Sequence, residues 1–168
     1  KTLLKNEGDV ELNDIVMIKL DVALTETVVI GNNISIVGGH SNISPDDEAY
    51  EYFGDTVRDI IITRATGFTG YLFNVQSNAV IIGDVSDLSG YESSKLYLRG
   101  SIETLTSSLI MVENTGSLTL AKKAVLQNNY AQNGGAVYVA GDLTVNGAII
   151  GADINDTLKE PNKAKENG

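Results

Sequence analysis

Four stretches of this chain can be laid over one another as strand, short turn bearing Asn or Gly, strand: TVVIGNNISIVG, YLFNVQSNAVIIGD, SLIMVENTGSLTLAK and GAVYVAGDLTVNGA. Within each, apolar residues return with a period of two, the period of a strand with one buried face. The alignment brings Ile34, Val80, Leu118 and Leu143 to equivalent positions, with successive separations of 46, 38 and 25 residues. A unit of two or three short strands cannot bury its own apolar face, so units of this kind stack on their neighbours. The shortest separation is close to one coil of a parallel β-helix. The two longer ones must hold insertions or further strands.

The remaining apolar runs, DIVMIKLDVAL (14–24) and RDIIITRA (58–65), alternate in the same way and are rich in β-branched residues. The nearest approach to a helix is PDDEAYEYF, with Pro45 placed for a first turn. An antiparallel sandwich also uses short alternating strands, but the internal similarity favours stacked coils. The stretch LQNNYAQNGGAVYV (126–139) agrees with that choice. Its polar run is too long for a two-residue hairpin turn. In stacked coils an inward Asn can bond to turn backbones that would otherwise be unpaired, while Gly supplies left-handed corner geometry. The expectation is an all-β fold, a single-stranded right-handed parallel β-helix of roughly five coils with two inserted loops. Residues 1–20 read as an N-terminal cap region, 21–157 as the β-helix, and 158–168, LKEPNKAKENG, as a polar linker or tail.

Charge and composition narrow the partners. The net charge is -10 at pH 7, the wrong sign for nucleic acid. There is no cysteine, which excludes disulfides, a thiolate nucleophile and a zinc-thiolate site. No apolar run approaches the roughly 20 residues of a membrane-spanning helix, so no membrane insertion is expected. The opening KTLLKNEGDVELND has no signal-peptide core and no initiator Met, which suits a mature or excised piece of a longer multidomain chain.

The segment NNYAQNGGAVYV resembles the repeated motif of bacterial and chlamydial surface β-helix proteins of the polymorphic outer-membrane type. In that motif an aromatic, two spacers and Asn precede Gly-Gly-Ala and an aliphatic residue. Asn129, Gly134, Gly135, Ala136 and Val137 match, while Leu126 stands where those proteins usually carry Phe. TVVIGNNISIVGGHS is similar to the opening coil of pectate-lyase-like extracellular proteins, and the later units look like their following coils. The resemblance covers residues 21–155. It implies an extracellular, cell-surface location and one of two roles: an adhesin or stalk module, or a carbohydrate-active enzyme.

An enzyme of that kind clusters carboxylates on one face, because general acid and base work needs two of them at a set separation. Asp84 and Asp87 flank the end of one unit, but neither has an acidic counterpart one coil away. His40, the only histidine, reads as a corner residue, and Arg58, Arg64 and Arg99, the arginines suited to anchoring a uronate, stand near no repeated acid. A non-catalytic module is favoured, with no catalytic residue assigned. The acidic stretch PDDEAYEYFGD offers oxygen ligands for Ca²⁺ but lacks the alternating Asp spacing of a Ca²⁺ loop, so no metal or other cofactor is expected. The two insertions are better candidates for function. SNISPDDEAYEYFGD (41–55) carries five acids, and DVSDLSGYESSKLYLRG (84–100) adds two tyrosines. Loops inserted into a rigid repeat are where binding usually resides, and tyrosine presents an apolar face with a polar tip. The expected ligand-binding residues are Asp46, Asp47, Glu48, Tyr50, Tyr52, Phe53, Tyr91 and Tyr97, facing a glycan or a host or matrix protein.

Overall fold

The computed structural model describes residues 14–39, 58–84, 93–153 and 160–167, and among them every regular element is a strand. The chain passes through three sheets in turn. Its first circuit is β1 (Asp14–Ile18), β2 (Val22–Leu24) and β3 (Val28–Ile30). The second is β4 (Ile34–Gly39), β5 (Ile60–Arg64) and β6 (Phe73–Val75). The third is β7 (Val80–Ile82), the short β8 (Ser93–Ser94), β9 (Leu96–Arg99) and β10 (Ile110–Val112). The fourth is β11 (Ser117–Ala121), β12 (Ala124–Gln127), β13 (Tyr130–Asn133) and β14 (Val137–Val139), and the fifth is β15 (Asp142–Asn146), β16 (Ile149–Ile150) and β17 (Lys163–Asn167).

Each strand pairs in parallel with its counterparts in the circuits before and after. The first sheet runs β1-β4-β7-β11-β15, the second β2-β5-β9-β12-β16 and the third β3-β6-β10-β14, while β13 pairs with β17. The one antiparallel strand pair among the described residues is β8 on the end of β4. This is a parallel, β-helix-like arrangement, and it rules out the antiparallel sandwich.

Register follows the repeat found in the sequence. Ile34 pairs with Val80, Val80 with Leu118 and Leu118 with Leu143. All four pack in the core cluster, the last of them at its margin. Parallel columns stand beside this one: Ile36, Ile82 and Leu120 on the first sheet; Ile62, Leu98 and Leu126 on the second; Phe73 and Ile110 on the third. Fully burying each such side chain contributes about 1.5–3 kcal/mol, which makes the stacked columns the main source of cohesion. On the last strand of each sheet the same inward positions are open. Leu120 is 0% exposed and its neighbour Val145 50%, and Val139 and Ile150 are likewise exposed above the buried Val112 and Leu126.

Three expected boundaries move. The repeat begins at Asp14, inside the stretch read as a cap, because DIVMI already alternates and pairs residue for residue with β4. The polar end is not a tail throughout: KAKEN forms β17 beside β13, a pairing made by backbone groups that needs no apolar side chain. Lys163 and Lys165 there are exposed, as charges on an edge strand usually are. The second insertion is shorter than 84–100, since β8 and β9 rejoin the ladders and Leu96 and Leu98 are buried. Its outward residues Lys95, Tyr97 and Arg99 masked the strand in the sequence. The helix considered for PDDEAYEYF lies outside the described residues.

Candidate functional site

Three corners join the sheets, and they differ in what they hold. From the third sheet to the first the links are short: 31–33, 76–79, 113–116 and 140–141. From the second to the third they are longer after the first circuit: 65–72, 100–109 and 128–136, the last of these containing β13. A long link cannot be filled by the inward residues of flanking strands. Here the space is taken by a polar network.

Asn129 is its hub and is 0% exposed. After β12 the chain turns at Asn128, whose φ of 58° is left-handed, and this sends Asn129 inward. Its Nδ2 donates to the carbonyls of Ser107 at 3.0 Å and Gly135 at 2.6 Å, and its Oδ1 accepts from Arg64 Nη1 at 2.9 Å and Thr106 Oγ1 at 3.1 Å. This is the expected inward Asn, and the Gly-Gly-Ala part of the motif supplies one acceptor. Arg64 completes the network from two circuits away. Its Nε donates to the Gly70 carbonyl at 2.6 Å and its Nη2 to the carbonyls of Ser107 and Ser108, both at 2.8 Å. A glycine between them makes this packing possible: a Cβ on Gly100 would overlap the Asn129 side chain. Burial lowers the Arg64 pKa from its ordinary value to about 10, because the charged form loses water, yet the group stays ionised at neutral pH.

Arg64 also borders a cleft of about 310 Å³ between the links 65–72 and 100–109. Arg99 borders it from the next circuit, together with Thr66, Phe68, Ser101 and Thr106.

A second polar cluster lies on the outer face of the second sheet. Asp153, whose side chain is 0% exposed, accepts from Lys95 Nζ at 2.5 Å and from Tyr97 Oη at 2.9 Å. Its backbone N–H donates to Gln127 Oε1 at 3.1 Å. One residue thus ties the segment after β16 to β9 through its carboxylate and to β12 through its backbone N–H. Tyr97, expected in an inserted loop, is instead 4% exposed and inside a strand, with its ring 5.1 Å from the Arg99 guanidinium carbon. Sequence reasoning missed Asp153. It stands three residues after Ile150, as Asn129 stands three after Leu126, and Leu126 and Ile150 are in register. Continuing the repeat alignment by one unit would have marked it.

Of the other expected site residues, Asp46, Asp47, Glu48, Tyr50, Tyr52, Phe53 and Tyr91 lie outside the described residues, as do His40 and Asp87. Asp84 is at a corner, where its N–H donates to the Lys122 carbonyl. Arg58 pairs with Asp21 at 3.1 Å. Among the described residues no three His, Asp or Glu side chains gather as a metal site, and no helix is long and apolar enough to cross a membrane.

The departure points of the two insertions are visible even so. The described chain breaks off after Gly39 of β4 and resumes at Arg58 before β5. It breaks off again after Asp84, just beyond β7, and resumes at Ser93. Since β4 pairs with β7 and β5 with β9, both insertions leave the same corner, between the first and second sheets, in neighbouring circuits. Comparison of the chain with protein-family models, with curated proteins and with solved structures finds no match.

Proposed function

We propose that this chain is a right-handed parallel β-helix module of an extracellular bacterial surface protein, an adhesin or stalk unit without catalytic activity, that holds a glycan or a host or matrix protein through its two insertions. The observation that carries the reading is their common origin. Segments 40–57 and 85–92 depart from one corner of adjacent circuits, so Tyr50, Tyr52 and Phe53 belong to one departure and Tyr91 to the other. Binding residues on inserted segments over a rigid repeat are the usual division of labour in solenoids. Right-handedness follows from the general rule for parallel strands joined by a crossover within one sheet. Aromatic side chains dominate contact energies when they fill pockets on a partner. The acids of the first insertion favour a neutral or basic partner, in a contact that salt weakens.

The test compares the native chain with one whose residues 46–53 are replaced by a short Gly-Ser linker, on a glycan array and a panel of matrix proteins. Binding by the native chain that is lost in the replaced form supports the reading. Equal binding by both forms removes the first insertion from it, and binding by neither leaves the chain a spacer.

A further inference from the structure

The corner between the third and first sheets, whose short links set the register, also carries an open cavity of about 440 Å³, within the usual range for small-molecule sites of about 300–1,000 Å³. Three successive links line it: Asn32 and Asn33 from 31–33, Gln76, Ser77 and Asn78 from 76–79, and Thr115 from 113–116. The backbone of these links is committed to the fold. The N–H groups of Gln76 and Ser77 donate to the Ile30 carbonyl at 2.9 and 3.2 Å, and that of Ser117 to the Ser77 carbonyl at 2.9 Å. Their side chains are less committed. Ser77 Oγ donates to Asn33 Oδ1, and Thr115 Oγ1 to the Gln76 carbonyl at 3.4 Å. Among the described residues the amide side chains of Asn32, Gln76 and Asn78 make no hydrogen bond, and all three residues are exposed. Gly31 keeps the approach clear, since a Cβ there would meet nothing within 4 Å.

The lining holds no charged side chain, so it offers an ion of either sign no partner. Each side-chain amide presents two donors and an acceptor oxygen, and each hydroxyl does both. A ligand dense in hydroxyls matches that inventory group for group. Neighbouring circuits stand about 4.7–4.9 Å apart, close to the length of one sugar ring, so the amides recur along this corner on the scale of a saccharide. In a chain of net charge -10 an acidic saccharide would also meet an opposing field. From three amides without a protein partner and two hydroxyls around one uncharged cavity, set at the spacing of the circuits, we propose that this corner binds a neutral oligosaccharide, with about one ring per circuit. The residues involved stand at a different corner from the two insertions, so the site is independent of the contacts proposed for those.

The experiment is a titration of the full chain, labelled with ¹⁵N, with cellotriose, mannotriose and galactotriose, neutral trisaccharides that differ in hydroxyl geometry. Trigalacturonate is the acidic control and glycerol the small-polyol control. Saturable shifts are expected for amides of residues 31–34, 76–79 and 113–117 with at least one neutral trisaccharide. Gly31→Leu, which puts a side chain into open space at the cavity, should weaken that binding at least about tenfold without changing the melting temperature. Asn78→Ala should weaken it about two- to tenfold, again at constant melting temperature, the effect of losing one neutral hydrogen bond. Shifts at this corner that persist when residues 46–53 are replaced support the site even if the insertions bind nothing. The inference is overturned by the absence of saturable shifts with all three trisaccharides, by an equal response to glycerol or trigalacturonate, or by unchanged affinity in either variant. Loss of the response when residues 46–53 are replaced would overturn its assignment to this corner.

Discussion

The corner between the third and first sheets and the corner between the first and second carry the same backbone path in opposite styles. At the former, the links are two to four residues long in every circuit. At the latter they range from the two residues 122–123 to the long passage between Gly39 and Ile60. A short link of nearly constant length pins the register of the strands on either side, so the columns through Ile34, Val80, Leu118 and Leu143 continue unbroken. A link of free length carries no such duty, and the loop-closure cost of extending it grows slowly. The first corner maintains the fold, and the second is open to be used.

The largest effect should come from damaging a column beside the constant corner. Leu118→Asp puts a charge into a position that is 0% exposed and has apolar neighbours above and below. It should cost at least about 4 kcal/mol, the range reserved for a buried unpaired charge, and abolish the cooperative urea transition. An unchanged midpoint would show that the column does not hold the circuits together.

Next in size is the polar filling of the third corner. Asn129→Ala leaves the Gly135 carbonyl without its side-chain donor and Arg64 Nη1 without its acceptor, while the Ser107 carbonyl keeps its bond from Arg64 Nη2. A loss of about 3 kcal/mol is expected from chemical denaturation, given the cost of stranding buried polar groups. Gly100→Ala should cost about 2 kcal/mol in the same assay, because its new methyl group overlaps the Asn129 side chain. If the two variants proved as stable as the native chain, the network would be incidental to the fold.

The smallest effect belongs to the variable corner. Exchanging residues 46–53 for a Gly-Ser linker of similar length should change stability by less than about 0.6 kcal/mol, the cost of doubling a flexible loop. A large loss, read from the same melts, would mean that the insertion supports the ladders and that the two corners are less different than they look.

This contrast also explains what could be read from the sequence. The four units that align are each a third-sheet strand, a constant corner and a first-sheet strand: β3 with β4, β6 with β7, β10 with β11, and β14 with β15. Similarity was legible there because a fixed link keeps the apolar positions at fixed spacing. The second sheet was harder to read. Its strands stand at changing distances from those units, and the outward Tyr97 and Arg99 of β9, with Lys95 just before it, made a stacked strand resemble a loop. Strand β17 was hidden for a different reason, since KAKEN is held by backbone pairing and carries no apolar alternation. Of the polar sites, Asn129 was legible because its motif is local. Its partner Arg64 is 65 residues away, and Lys95 and Asp153 are 58 apart, so only register brings them together.

Register is therefore the claim on which the rest depends, and methyl-to-methyl contacts measured by NMR on the Ile-, Leu- and Val-labelled chain test it most directly. The account predicts that the Leu118 methyls show contacts to both Val80 and Leu143, with parallel-strand amide contacts along β7, β11 and β15. Absence of either methyl contact, with antiparallel Hα–Hα contacts across these strands instead, would contradict it.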